Sequence, residues 1–214
     1  MILMEYSMLN FIGDIASSSP APGGGTVAAV TGAFAAGLGG MVCGLTIGND
    51  KYPEAQNILP SVKATLDGAR KRMAELADED AAAFGGMVAA FKLPKDTIEE
   101  KAARSAAICA ASLEATKVPL ETAFRAVVIA EALVQTARYG NENTLSDCGT
   151  AIECARAAAE GAFMNVDINL PGVKNEDIIN GLRQKRNELK KKADIFYGGA
   201  MEILKIKRGG CSGE

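Results

Sequence analysis

The stretch TVAAVTGAFAAGLGGMVCGLTI, residues Thr26 to Ile47, decides the fold. No charged residue occurs between Ile15 and Asn49, so a helix here has no polar face to turn toward water. The segment is built mainly from Ala and Gly, and Gly32, Ala36, Gly40 and Gly44 recur at every fourth position, a row along which another helix can approach closely. Its length alone would let it cross a bilayer. Ala and Gly contribute little insertion energy, no second comparable segment exists, and the rest of the chain is amphipathic and charged. The expectation is therefore a central helix of a globular protein, buried on all sides, with no membrane partner; a membrane-associated protein anchored by this segment is the competing reading.

The flanking segments carry helical periods. Met8, Phe11, Ile12 and Ile15 mark a first amphipathic helix that ends at Ser17, Ser18, Ser19 and Pro20. Leu59, Val62, Leu66, Ala69, Met73 and Leu76 step by threes and fours, and Phe84, Met87 and Phe91 continue the stripe toward Pro94. Asp96 with Glu99 has the spacing of a capping box, opening a helix expected to end before Pro119. Another helix runs from Pro119 to Tyr139 with Gly140 as its C-cap, and Ser146 is placed to cap a further one toward Phe163. Asn165 to Gly172 is compatible with extended chain, and a last helix puts Ile178, Leu182, Leu189, Phe196 and Ile203 on one face. No segment alternates with period two. The expected fold is all-α: a single domain over residues 1–214, with seven or eight helices bundled around the long apolar Gly/Ala-rich helix. A helix so devoid of charge also suits a subunit interface, so a homodimer is expected.

Composition narrows the chemistry. Among 214 residues, 48% are hydrophobic, 5% aromatic and 23% charged, and there is no His and no Trp. Without His, triads that need an imidazole base, zinc-protease helices and ordinary His-ligated metal sites are excluded, and no metal is expected. A net charge of −3 offers no basic field for nucleic acid. The five cysteines, Cys43, Cys109, Cys148, Cys154 and Cys211, never fall in a C-x-x-C spacing, which fits reduced thiols and a cytoplasmic protein. No charged segment precedes an apolar run at the start, so no signal peptide is expected.

Acid–base work near neutral pH then falls to carboxylates, Lys, Cys or Tyr whose pKa the fold has moved. One position stands out. Between Leu76 and Phe84, at fourfold spacing on the apolar stripe, is Asp80, whereas Asp78 and Glu79 fall off the stripe. A carboxylate facing a core either finds a fixed partner or has its pKa raised, so Asp80 is a structural ion pair, a residue where the helix turns its stripe out of the core, or a general base. Pro20-Ala21-Pro22-Gly23-Gly24-Gly25-Thr26 forms a stiff, glycine-rich approach to a helix N-terminus, either a plain turn or a cradle for an anion or carbonyl. Gly140-Asn141 and Ser146-Asp147 place polar groups at a turn and a helix start, where capping and the helix dipole already account for them. Arg183, Lys185, Arg186, Lys190, Lys191 and Lys192 crowd the last helix, as a solvated face or a site for a polyanionic tail.

Taken in order, these blocks resemble the cyclodeaminase/cyclohydrolase family, which comprises the C-terminal domain of formiminotransferase-cyclodeaminase and stand-alone methenyltetrahydrofolate cyclohydrolases. The resemblance is carried by Ser19 to Thr26, Met41-Val42, Leu45 to Gly48, Asp78-Glu79-Asp80-Ala81 with Phe84, and Leu93-Pro94-Lys95. Val118-Pro119-Leu120, Gly140-Asn141, Ser146-Asp147 and Asn165-Val166-Asp167-Ile168-Asn169 complete it. It implies an all-α dimer that binds a tetrahydrofolate derivative as substrate near the subunit interface, with no permanently bound cofactor. It assigns the acid–base role to the second Asp of the D-x-D-A motif, here Asp80. It further implies backbone contacts from Pro22, Gly23, Gly24 and Gly25, and polar contacts from Asn141, Ser146 and Asp147. The family tends to place basic residues after the glycine that ends the long apolar helix. Here Asn49 and Asp50 stand there, which leaves Lys51 to meet the folate glutamate tail.

The expected activity is hydrolysis of 5,10-methenyltetrahydrofolate to 10-formyltetrahydrofolate. The alternative is formiminotetrahydrofolate cyclodeaminase, which releases ammonia. A stand-alone protein without a transferase domain is the expectation, which favours the first. A non-catalytic helical dimerisation module is the reading from a different class.

Overall fold

The computed structural model describes residues 7–210; Cys211 and the first six residues, which bear on the signal-peptide expectation, lie outside them. The described residues form six α-helices: α1 (Met8–Ile15), α2 (Gly24–Gly44), α3 (Ala55–Phe91), α4 (Ile98–Tyr139), α5 (Leu145–Asn169) and α6 (Glu176–Gly210). Single 3-10 turns at Glu142–Thr144 and Leu170–Gly172 flank α5, and no strand is present among these residues. The all-α expectation therefore holds, with fewer and longer helices than the seven or eight read from sequence.

Helix α2 is the centre. It packs along α3 and α5 and touches α4. Its buried residues are almost all Ala, Gly and Val, so it contributes little bulk. Its part is to let its neighbours come close: a Cβ on Gly32 would stand 2.4 Å from Met73 Cε, and one on Gly39 would stand 2.6 Å from Leu133 Cδ2. The bulk comes from α3, where Leu59, Leu66, Met73 and Leu76 are fully buried at about 1.5–3 kcal/mol each. By length and apolarity α2 would span a membrane, yet 61% of that stretch is buried inside the protein. Charged side chains of the same chain also lie over it. Cβ atoms on Gly37, Gly40 and Gly44 would come within 3.8 Å of Arg70 Cδ, Asp67 Oδ1 and Lys63 Cε. The expectation of burial on every side needs correction, because α3, α4 and α5 cover only part of the circumference. Phe34, Met41 and Leu45 remain 46%, 41% and 54% exposed along one stripe.

Several helix boundaries differ from the sequence expectation for identifiable reasons. The capping box lies one residue later than Asp96/Glu99: the Glu100 N–H donates to the Thr97 hydroxyl, and the Glu100 carboxylate accepts from the Thr97 and Asp96 N–H groups. Pro119 does not end a helix. Proline removes the N–H that would bond the Ala115 carbonyl, and here Asn169 Nδ2 donates to that carbonyl at 2.6 Å. With the freed acceptor satisfied from outside, α4 runs unbroken for 42 residues. The apolar stripe of α3 also leaves the core, since Phe84 and Phe91 are 36% and 53% exposed. At 37 residues against the 21 of α2, α3 outruns the helix it packs on. Residues 165–172 are helical rather than extended, with α5 continuing to Asn169 before the 3-10 turn. On α6 it is Ile179, not Ile178, that is buried, along with Ala200 and Leu204.

Gly140 is the C-cap of α4 as expected, but its φ of −68° is ordinary, so glycine is needed there for space rather than handedness. A Cβ would stand 2.4 Å from the Thr136 carbonyl oxygen and 2.8 Å from Val42 Cγ1, and the first of these is rigid backbone. Gly140→Ala is expected to destabilise the fold by about 1–3 kcal/mol, read as a lower urea midpoint with an unchanged m-value. An unchanged midpoint would show that the joint between α4 and α5 is loosely packed.

Candidate active site

The Asp80 side chain leaves α3 where the stripe emerges from the core, and it meets the start of α2. The N-cap of α2 is Gly23, which has no side chain to offer. Asp80 fills that role from across the cleft. Its Oδ2 accepts from the Thr26 hydroxyl at 2.7 Å, and the Thr26 backbone N–H lies close enough to favour the charged carboxylate. The approach is possible only because residue 25 is glycine, since a Cβ there would lie 2.2 Å from Asp80 Oδ1. Burial raises the Asp80 pKa above its ordinary value, and these two groups of Thr26 partly oppose the rise. The expected cradle for an anion or carbonyl is thus occupied by the protein's own carboxylate, packed against Gly25 and bonded to the Thr26 hydroxyl.

Around Asp80 opens a cleft of about 300 Å³. The glycine turn forms one wall, Phe84 and Met87 of α3 a second, and Asn165, Ile168 and Asn169 of α5 a third. No Lys or Arg lines it. Gly23, Gly24 and Gly25 stand in the wall, and Pro22 lies beside them, joined to Ala21 by a cis peptide bond. Sequence reasoning did not select Asn165 and Asn169 as site residues. The only available signal was their occurrence in the N-V-D-I-N block, where fourfold spacing puts both on one face of a helix.

The remaining expected site residues lie elsewhere. Asn141 donates its backbone N–H to Thr46 Oγ1 at 2.9 Å and its side-chain amide to the Leu45 carbonyl, and its Oδ1 accepts from the Tyr52 hydroxyl and the Asn143 N–H. These bonds tie the end of α2 to the start of α5. Ser146 does not cap α5, which begins one residue earlier after Thr144. The side chain that caps the connection is that of Asn141, on the 3-10 turn. Asp147 sits in the first turn of α5, and Lys51 is exposed in the loop after α2. All four belong to the far end of α2, separated from Asp80 by its 21 residues, about 30 Å. One chain therefore brings Asp80 together with the glycine turn, and not with Lys51, Asn141, Ser146 or Asp147.

Other reactive groups are held quiet. Burial pushes the Cys148 thiol up to about 12 and also raises Cys43, so both are protonated at neutral pH. Glu79, beside Asp80 in sequence, is engaged by Arg72. Two of the six cations in the run Arg183 to Lys192 of α6 are paired with acids: Arg186 with Asp167 at 2.7 Å, and Lys190 with Glu160 at 2.9 Å and Asp194 at 2.6 Å. Arg186 also stacks over the Phe163 ring, so part of this basic run clamps α6 to α5.

Comparison with known proteins bears on the family and the fold. A family model described as formiminotransferase-cyclodeaminase matches residues 7–188. The chain is 40% identical over 163 residues to a methenyltetrahydrofolate cyclohydrolase of Methylorubrum extorquens, covering 76% of this chain and 78% of that protein. It is 31% identical over 191 residues to the formimidoyltransferase-cyclodeaminase of Rattus norvegicus, covering 89% of this chain but only 35% of that longer protein. The crystal structure of a formiminotetrahydrofolate cyclodeaminase from Thermotoga maritima superposes with a TM-score of 0.84 at 26% identity, over 95% of this chain and 98% of that one. The helical frame, the glycine turn and the cleft thus lie within a matched region, and the chain belongs to the formiminotransferase-cyclodeaminase family.

Proposed function

We propose that this protein is a folate one-carbon enzyme that hydrolyses 5,10-methenyltetrahydrofolate to 10-formyltetrahydrofolate, with Asp80 as its acid–base residue. The observation that carries this reading is a half-buried carboxylate with a raised pKa, fixed by Thr26 in a cleft that holds no cation. The substrate's methenyl carbon belongs to a cationic amidinium, which an uncharged or anionic cleft accepts and a basic one repels. Asp80 takes a proton from water as its oxygen bonds to that carbon. The carbon–N5 bond then breaks as Asp80 returns that proton to N5, while the hydroxyl on the carbon loses its remaining proton to solvent and becomes the C=O of the formyl group left on N10. A single carboxylate whose pKa lies above the usual range suits both halves, being a stronger base than a free Asp and still able to donate. The relative from Methylorubrum extorquens, matched along 78% of its length, favours this reaction over its alternative.

That alternative is cyclisation of formiminotetrahydrofolate. There N10 attacks the formimino carbon and ammonia leaves, with the same carboxylate carrying the proton. The relative from Thermotoga maritima favours it. Offering both folates to purified protein separates the two, by loss of methenyl absorbance in one assay and ammonia release in the other. Acceleration of the first alone supports the cyclohydrolase, and ammonia release alone moves the assignment. Neither would leave the helical dimerisation module.

The protein is further proposed to act as a homodimer. Phe34, Met41 and Leu45 leave an apolar stripe along α2. Two copies packed antiparallel on it would bring Lys51, Asn141, Ser146 and Asp147 of one to the Asp80 end of the other. Mixing Asp80→Asn with Lys51→Ala/Asp147→Ala protein is then expected to restore activity in one of the two sites of the mixed dimer. Sedimentation as a monomer at assay concentration would refute this arrangement.

A further inference from the structure

The α5 wall of the cleft carries two side-chain amides whose orientation is fixed by chemistry. Asn165 donates its Nδ2 to the Gly161 carbonyl at 2.8 Å, and Asn169 donates its Nδ2 to the Ala115 carbonyl at 2.6 Å. A main-chain carbonyl accepts and never donates, so in each amide the NH2 must face the anchor, because a flip would set oxygen against oxygen. Each Oδ1 is thereby turned away from its anchor. Neither Oδ1 has a partner among the described residues, neither is among the buried polar atoms left without one, and both residues line the cleft, where a Cβ on Gly24 would stand 3.5 Å from Asn165 Nδ2. The second anchor depends on Pro119, which lacks the N–H that would otherwise occupy the Ala115 carbonyl.

The result is a pair of acceptors one helical turn apart, with Cβ atoms about 5–6 Å from each other. Asp80 faces them across the same cleft, and no Lys or Arg lines it. Such a wall suits a ligand that presents two N–H donors along one edge, and the second N–H of each amide remains for a neighbouring acceptor. We propose that Asn165 and Asn169 are substrate-binding residues that read the donor edge of the heterocycle, taking hydrogen bonds from its exocyclic amino group and from a ring N–H on the same side. In a tetrahydropterin these are the 2-amino group and N8–H, which flank N1. The inference rests on the folate reading above and adds the residues that orient the ring, so that the one-carbon unit at its other end meets Asp80.

The test uses the full chain and measures kcat and KM for 5,10-methenyltetrahydrofolate in the wild type, Asn165→Ala and Asn169→Ala. It repeats the measurements with an analogue in which methyl replaces the exocyclic amino group. Each variant is expected to raise KM by about tenfold with kcat within about threefold. The analogue is expected to cost the wild type a similar factor but to cost the variant at the contacting asparagine nothing further, since the lost bond cannot be lost twice. Asn165→Ala is the cleaner change, because the Gly161 carbonyl keeps its helical bond from the Asn165 backbone N–H; it decides the matter if Asn169→Ala fails to fold. Wild-type KM in Asn165→Ala, or a full analogue penalty remaining in both variants, overturns the proposal while leaving the folate reading intact. Absence of turnover by the wild type on either folate overturns that reading and this one with it.

Discussion

Asp80→Asn is expected to lower kcat by about 10²–10⁴-fold with KM changed only a few-fold, the loss typical of removing a general acid–base group. The substitution keeps the size of the side chain and keeps an oxygen that accepts from Thr26, so α2 retains its cap and the cleft its shape. Only the proton-transfer capacity goes. Stability should move the other way, and its pH dependence has a definite sign. Because the folded state raises the Asp80 pKa, its contribution to stability is fully present below the ordinary value of 3.8 and is lost as pH rises through the folded value. Asp80→Asn is therefore expected to melt above the wild type at neutral pH and to lose that advantage in acid. Unchanged kcat at neutral pH would remove Asp80 from the reaction. A lower melting temperature at neutral pH would instead mark it as a structural cap alone. The wild-type kcat/KM should rise with pH along a limb displaced upward from the usual carboxylate range, and Asp80→Asn should lack that limb.

Gly25→Ala is expected to damage activity and stability together. Its Cβ would overlap all three terminal atoms of the Asp80 carboxylate, at 2.2, 2.7 and 2.8 Å. The carboxylate can retreat only into the cleft, which breaks the Thr26 bond that positions it. Displacement of the acid–base group by about 1 Å costs on the order of 10²-fold in kcat/KM, and the overpacking costs about 1–3 kcal/mol of stability. The double change Gly25→Ala/Asp80→Ala removes the clash, so stability should recover while activity stays absent. Wild-type activity in Gly25→Ala would mean that the carboxylate does not need this position.

These two residues show how much could be read from sequence. Asp80 was legible because a carboxylate interrupts a regular apolar stripe, and periodicity reports such interruptions directly. The glycine turn was legible as a feature but not in its use. Composition marks glycine as permissive, and only the packing shows that the visitor is an internal carboxylate rather than a ligand anion. Asn141 and Ser146 were read as polar groups near a helix start. The N-cap position of α5, Thr144, lies two residues before the expected cap at Ser146, and the bonds of Asn141 to Tyr52, Leu45 and Thr46 span some 90 positions of chain. Asn165 and Asn169 stayed hidden because asparagine in a helix has no chemistry of its own until its amide is anchored.

Local pattern by itself determined that this chain is helical, that Thr26 to Ile47 lies at its centre, that imidazole chemistry is impossible and that one carboxylate faces inward. These follow from side-chain spacing and from composition, which no partner can alter. Tertiary structure decided whether Pro119 breaks a helix, which face of α2 stays open, and which end of α2 holds the cleft. Each of these depends on a contact between residues far apart in the chain. The Ala115 carbonyl lost its helical donor to Pro119 and found a new one in Asn169, and that exchange both preserved α4 and fixed one wall of the site.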